Sequence, residues 1–250
     1  MIDKQKAQEL AQYFNKTTKQ IIEEYKSIKT SPSKILWVKR SNDEWKKLKI
    51  NQNSRKGVEE WFKTTKNYIF ELMEVQSMPL RIKLNSQIIT YCKSNNLKTI
   101  LDFGCGVAEN AIIAAENNFK VTIADLPSQT FNFAKWRIKK RKLNIKIIEI
   151  KSLKPLIKNY DAIVCLEVFQ HLFNPLKTAR HLFAHLNKGG LLFVTTRFNN
   201  PSYLMALKKN YRLEQTFNKD LEKIGFNLKK KLYQWGKGNK AKYLYIFQKP

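Results

Sequence analysis

Asp102, Gly104 and Gly106 stand at alternate positions, and Asp125 follows the second glycine by nineteen residues. The apolar run 99–103 just before the glycines has the length of a strand, and the glycines end it abruptly. Glycine adopts positive φ readily and lets a ligand approach bare backbone. The helix expected after the turn aims its free N–H groups back at that ligand. An acid at the tip of the next strand, Asp125, is placed to accept both hydroxyls of a ribose. The pattern describes a nucleoside pocket at the carboxyl edge of a parallel sheet.

The turn also narrows the kind of nucleoside. A dinucleotide site would favour a third glycine where Ala108 stands, and an acid near the helix start, Glu109, would repel a pyrophosphate. Asp102 and an acidic turn suit a ligand that carries an ammonium group. S-adenosylmethionine has an ammonium, a sulfonium and a ribose.

A second constellation is Glu167-Val-Phe-Gln-His171. Glu167 falls at the end of the fourth expected strand, on the same sheet edge. His171 is suited to general-base work, removing a proton from a hydroxyl or amine. The same ring also suits a structural role, bonded to a backbone carbonyl. Arg197 and Tyr203 lie beyond the next strand end and complete the acceptor-side candidates. The sequence Asn200-Pro-Ser-Tyr203 reads as a loop. Cys165 lies inside a strand and is not placed for covalent catalysis.

These residues must be positioned by alternating strands and helices. Strands are expected at 99–103, 120–124, 145–150, 161–166, 191–196, 226–235 and 242–248. Helices are expected at 107–117, 128–142, 174–186 and 203–224, with Asn187-Lys-Gly-Gly190 as a helix stop. Such alternation implies an α/β doubly wound sheet, and the closing hairpin supplies an antiparallel member. Residues 1–95 read as a helical extension or lid, preceding a ligand-binding domain at 96–250. Within it a helix carries Ala7, Leu10, Phe14, Ile21 and Tyr25 and breaks at Ser31-Pro-Ser33. A short strand or buried turn is expected at 35–38, a polar connection at 42–55, and helices at 58–75 and 80–93.

The 250 residues carry 47 Lys and Arg against 20 Asp and Glu, a formal net charge of +27. That excess fits RNA or an anionic membrane surface, and equally a lysine-rich coding bias. The basic run 135–142 reads as a solvated helix face behind Phe131, Ala134 and Ile138. Three scattered cysteines make neither a disulfide framework nor a zinc pattern. Together with an N-terminus lacking a signal pattern, this leads to the expectation of a cytoplasmic protein.

The stretch Leu101-Asp-Phe-Gly-Cys-Gly-Val-Ala-Glu109, Asp125, Tyr160-Asp-Ala-Ile-Val-Cys-Leu-Glu-Val-Phe-Gln-His-Leu172 and Leu186-Asn-Lys-Gly-Gly-Leu-Leu-Phe193 resemble the class I S-adenosylmethionine-dependent methyltransferases. The resemblance is good over 98–198, loose after that and unspecific before it. It implies a seven-stranded sheet of order 3-2-1-4-5-7-6 with strand 7 antiparallel. It also implies cofactor contacts from Asp102, Gly104, Gly106, Asp125, Leu126 and Glu167. Ser152 stands where the family often has an acid near the adenine amino group. A quinone-pathway O-methyltransferase subgroup gathers two acids and a histidine around a metal at the Glu167–His171 position; Gln170 replaces one acid, so no metal is expected. The implied reaction is methyl transfer to a small molecule or lipid precursor, with Glu167 and His171 as catalytic residues. RNA is the alternative acceptor.

Overall fold

The computed structural model describes residues 2–28, 36–150, 158–235 and 242–250. Ten helices and seven strands are described: α1 (Lys4–Tyr13), α2 (Thr18–Lys26), α3 (Leu36–Lys47), α4 (Arg55–Thr64), α5 (Asn67–Gln76), α6 (Pro79–Ser94), β1 (Thr99–Phe103), α7 (Glu109–Glu116), β2 (Lys120–Asp125), α8 (Gln129–Lys140), β3 (Ile145–Glu149), β4 (Tyr160–Leu166), α9 (Pro175–Ala184), β5 (Leu186–Thr195), α10 (Leu213–Ile224), β6 (Asn227–Trp235) and β7 (Lys242–Gln248). The strands form one sheet of order β3-β2-β1-β4-β5-β7-β6. β7 runs antiparallel to both β5 and β6, and the other pairings are parallel.

Strand residues alternate between the two faces. Ile100 of β1 enters a core with Ile88 of α6, Ile112 of α7 and Phe131 of α8. Leu101 and Phe103 enter the opposite core, with Leu182 of α9 and Phe217 and Leu221 of α10. The same alternation turns Asp102 toward α7, where its carboxylate accepts the Ala111 N–H at 3.2 Å.

The first 76 residues depart most from the sequence expectation. The first helix breaks early: Asn15 takes φ 53°, and Thr17 starts α2 with a reciprocal capping box to Gln20. The expected break at 31–33 lies outside the described residues. Residues 36–47, read as a strand or turn followed by a connection, form α3. Trp37, Ser41 and Trp45 recur at helical spacing on its buried face. The helix expected at 58–75 is two helices. Thr65 is extended (φ −62°, ψ 133°), and its hydroxyl donates to Glu44 at 2.5 Å.

Two later segments also differ. Asn187-Lys-Gly-Gly190 lies inside β5, not at a helix end. Pairing jumps from Tyr160↔Leu186 to Ala162↔Leu191, so the extra residues bulge, with Gly189 at φ 75°. Residues 203–212 form turns and a short 3-10 helix, Lys208–Asn210, and α10 begins only at Leu213.

Candidate active site

The loop after β1 turns through three left-handed residues: Gly104 (φ 69°), Gly106 (φ 55°) and Ala108 (φ 60°). The Gly104 N–H donates to the Ala124 carbonyl at 2.8 Å, tying the turn to the end of β2. A Cβ on Gly104 would fall 2.5 Å from a methyl of Val168, in the loop after β4. Asp125, at the tip of β2, accepts the Gly106 N–H at 2.8 Å and the Leu126 N–H at 2.7 Å. Burial nonetheless pushes its pKa up to about 6. One bond per oxygen leaves lone pairs for further donors, and the side chain is only half-buried.

Asp102 is 3% exposed, and burial raises its pKa to about 7 against the pull of the Arg81 cation. Arg81 sits in the first turn of α6, in the field of Asp102, Glu167 and Glu109. Its pKa is lowered by burial, which those acids oppose. The Arg81 guanidinium is thus electrostatically coupled to the Asp102 and Glu167 carboxylates. That donor set matches a group carrying both a carboxylate and an ammonium.

Glu167 directly follows β4 and takes φ 57°. Its backbone is held by donation to the Thr195 carbonyl at 2.8 Å, and its carboxylate accepts the Gln170 amide at 2.9 Å. Gln170 is buried and also accepts the Thr196 hydroxyl at 2.8 Å. His171 Nδ1 lies 2.8 Å from the Met205 carbonyl oxygen. A carbonyl only accepts, so Nδ1 carries the proton and Nε2 is the basic nitrogen of the neutral ring. Burial lowers the His171 pKa, opposed by the Met205 carbonyl.

The wall opposite is built by α3–α5 and the loop after β5. Asn42 donates to the Ser202 carbonyl at 2.9 Å and accepts the Leu204 N–H at 3.1 Å. Gln52 donates to the Leu204 carbonyl at 2.6 Å. Trp45, Val58 and Trp61 pack with Met205 and Leu207. From this wall Phe62 and Tyr203 stand edge-on to the His171 ring, at 5.5 and 5.7 Å between centroids. The Tyr203 hydroxyl donates to Glu71 at 2.8 Å.

Asp102, Gly104, Gly106, Asp125, Leu126, Glu167, His171 and Tyr203 therefore all lie along the carboxyl edge of the sheet or its loops. Ser152 lies outside the described residues. Arg197 stands close to Lys242, whose pKa it helps burial to lower. Glu109 is not part of an acidic turn facing a ligand: it pairs with Arg137 at 2.7 Å and Lys6 at 3.1 Å. The basic run 135–142 is not a plain solvated face either, since Arg137 is 1% exposed. Sequence reasoning missed Arg81 and Glu71. An arginine directly after a Pro-Leu helix start is the only local signal, because the acids around Arg81 and the tyrosine bonded to Glu71 are distant in the chain.

A family profile described as a methyltransferase domain matches residues 80–231. The chain belongs to that family, as a member of the class I S-adenosylmethionine-dependent methyltransferases. It is 31% identical over 116 residues to a ubiquinone biosynthesis O-methyltransferase from Nitrosospira multiformis, covering 44% of this chain and 48% of that one. It is 29% identical over 132 residues to the Coxiella burnetii protein of the same name, covering 52% and 55%. The chain thus spans about half the length of the curated relatives it matches. The fold also superposes on the N-methyltransferase NodS from Bradyrhizobium japonicum in complex with S-adenosyl-L-homocysteine, with TM-score 0.58 and 16% identity over 82% of this chain and 98% of that one. Magnesium protoporphyrin IX methyltransferase from Synechocystis matches with TM-score 0.55 and 15% identity, covering 93% and 100%.

Proposed function

We propose that the protein transfers a methyl group from S-adenosylmethionine to a small-molecule acceptor bound between the sheet edge and the helical wall. The observation that carries this is the set around the glycine loop: Asp125 fixed by two backbone N–H groups at the tip of β2, and Asp102 bonded to the Ala111 N–H with the Arg81 cation coupled to it. Asp125 would take the ribose hydroxyls, and Leu126 would lie beside the adenine. Arg81 would face the carboxylate of the amino-acid end, with Asp102 and Glu167 toward its ammonium. Gly104 and Gly106 keep the loop backbone bare. When bound, the cofactor supplies an electrophilic methyl on a sulfonium. The protein's task is then positioning and exclusion of water, and the α3–α5 wall serves both. His171 presents Nε2 to an acceptor that must lose a proton, and Gln170 fixes the carboxylate of Glu167 beside it.

The small-molecule reading is supported by the aromatic wall of Phe62, Tyr68 and Tyr203 and by the O-methyltransferase relatives. RNA gains no support from the basic run 135–142, whose arginines and Lys135 are spent on Glu9, Glu109, Glu116 and Glu149. No helix among the described residues is long and apolar enough to cross a membrane.

Calorimetry with S-adenosylmethionine on wild type and Asp125→Ala tests the cofactor assignment. Micromolar binding lost in the variant is expected, and undiminished affinity would overturn it. Methyl-label transfer into a small-metabolite extract, set beside a total RNA pool, tests the acceptor class; label in RNA alone would overturn the small-molecule reading.

A further inference from the structure

The acceptor wall contains a buried acid outside the cofactor loop. Glu71 of α5 is 2% exposed, and burial, helped by the neighbouring Glu74, raises its pKa to about 7. A carboxyl group is costly among apolar side chains unless a donor meets it. The Tyr203 hydroxyl is such a donor, at 2.8 Å.

Tyr203 joins two turns. Its N–H donates to the Asn200 carbonyl at 2.9 Å, and its own carbonyl accepts the Ala206 N–H at 3.0 Å. Met205 lies inside the second turn, and its carbonyl is the one that His171 Nδ1 meets at 2.8 Å. The far end of the segment is tied to the backbone beside His171. There the Leu207 N–H donates to the Gln170 carbonyl at 3.0 Å, and the Asn210 amide donates to the Leu172 carbonyl at 2.8 Å. The near end is tied to the wall, by Asn42 through the backbone of Ser202 and Leu204, and by Glu71 through the side chain of Tyr203. Held in this way, the Tyr203 ring stands edge-on to the His171 ring at 5.7 Å between centroids. The turn 203–206 therefore supplies His171 with both an edge contact and the carbonyl that fixes its tautomer.

We infer that Glu71 is a positioning residue for His171: its bond to the Tyr203 hydroxyl sets the turn 203–206, which keeps the Met205 carbonyl on Nδ1 and leaves Nε2 as the basic nitrogen. This rests on the methyltransferase reading above, in which His171 is the base. A neutral imidazole can carry its proton on either nitrogen, and the carbonyl at Nδ1 decides which. With the turn released, part of the population would hold the proton on Nε2, and such a ring could not take one from an acceptor at that atom. Glu71 acts through Tyr203 and Met205, not on the acceptor itself.

The tautomer is read by long-range proton–nitrogen NMR of the labelled imidazoles in the ligand-free protein. At about pH 8, above the ordinary histidine range, a neutral ring shows one protonated and one bare nitrogen. His171 is assigned among the three histidines by the signal lost in His171→Gln. Wild type is expected to show the Nδ1–H form. Tyr203→Phe removes the donor and Glu71→Leu removes the acceptor, and in each the two nitrogen shifts should move toward the average of a tautomer mixture. Glu71→Gln keeps an acceptor oxygen for Tyr203 and should retain the Nδ1–H form. Thermal melting and S-adenosylhomocysteine affinity report whether each variant folds; should Glu71→Leu not fold, Tyr203→Phe decides. A tautomer mixture in wild type would overturn the inference, as would an Nδ1–H form that persists in the folded Tyr203→Phe protein. A form lost equally in Glu71→Gln would mark a general disturbance of the wall and overturn it too. Failure of S-adenosylhomocysteine to bind wild type would instead overturn the methyltransferase reading, which the tautomer measurement, made without ligand or turnover, does not touch.

Discussion

Glu9 and Arg137 lie 128 residues apart in the chain and meet at 2.9 Å in the interior. The same guanidinium donates to the Val107 carbonyl at 2.6 Å and to Glu109 at 2.7 Å. Arg141 adds a second bond to Glu9 at 2.7 Å. Helix α1 is thereby fastened, through α8, to the residues that follow the second glycine of the ligand loop. Removing one partner of such a buried network strands the others. Arg137→Met is expected to cost about 3–5 kcal/mol in urea unfolding and to weaken S-adenosylhomocysteine binding. A folded Arg137→Met protein with wild-type stability would show that the network is inert.

The two loop glycines should respond differently to alanine. At Gly104 a Cβ meets both γ carbons of Val168, at 2.5 and 2.9 Å, and valine is stiff about χ1. At Gly106 it meets only a terminal methyl of Leu72, at 2.8 Å. Both sites carry positive φ, so each variant pays backbone strain of about 1 kcal/mol. Gly104→Ala should lose more stability than Gly106→Ala, by about 1–2 kcal/mol. Val168→Ala should restore part of that difference, and chemical denaturation of the double variant measures it.

The pH dependence follows from Asp102 and Asp125. Burial raises both carboxyls in the folded protein, to about 7 and about 6 from 3.8. The folded state therefore holds these protons more tightly than the unfolded chain. Their stabilising contribution is full below about pH 4 and is lost as pH rises through 6 to 7. The lowered carboxyls of Asp3, Glu109 and Asp161 act in the opposite direction and at lower pH, below their ordinary values. Asp102→Asn should flatten the loss of urea midpoint between pH 4.5 and 7 in the ligand-free protein. With the cofactor ammonium placed at Asp102 as proposed, binding calls for the ionised carboxylate, and affinity in wild type should rise with pH over the same window.

His171 is open to a kinetic test. Gln at this position can keep a donor toward the Met205 carbonyl but offers no basic nitrogen. His171→Gln should slow turnover on an acceptor that loses a proton by about 10²–10⁴-fold, with cofactor affinity unchanged within twofold. Turnover that stays near wild type would assign the ring to holding the Met205 loop alone.

The sheet was legible because its signals are local. The strand of β1, the glycine turn and Asp125 sit within 27 residues, and alternation with helices dictates the parallel order. The helical wall was harder. Trp37, Ser41 and Trp45 share a helical face that a sequence rich in Lys and Asn obscures, and Thr65 breaks α4 from α5 through a bond to Glu44 in another helix. The site residues divide in the same way. Asp102 and Asp125 are marked by spacing. Glu71 and Arg81 gain meaning only from partners distant in the chain, as Glu71 does from Tyr203, 132 residues away. Arg137 looked like one more charge on a basic helix, because Glu9 and Glu109 are invisible to periodicity.

The stitching of Asn42 and Gln52 to residues 202–208 also bears on how the chain is made. Those bonds span 152–162 residues, and the wall emerges from the ribosome first while the loop that covers Trp45 and Trp61 emerges late. At about 5–20 residues per second, the apolar face of the wall waits on the order of ten to thirty seconds for its partner. During synthesis that face is a surface for chaperones, and truncated chains ending before residue 202 would keep it exposed.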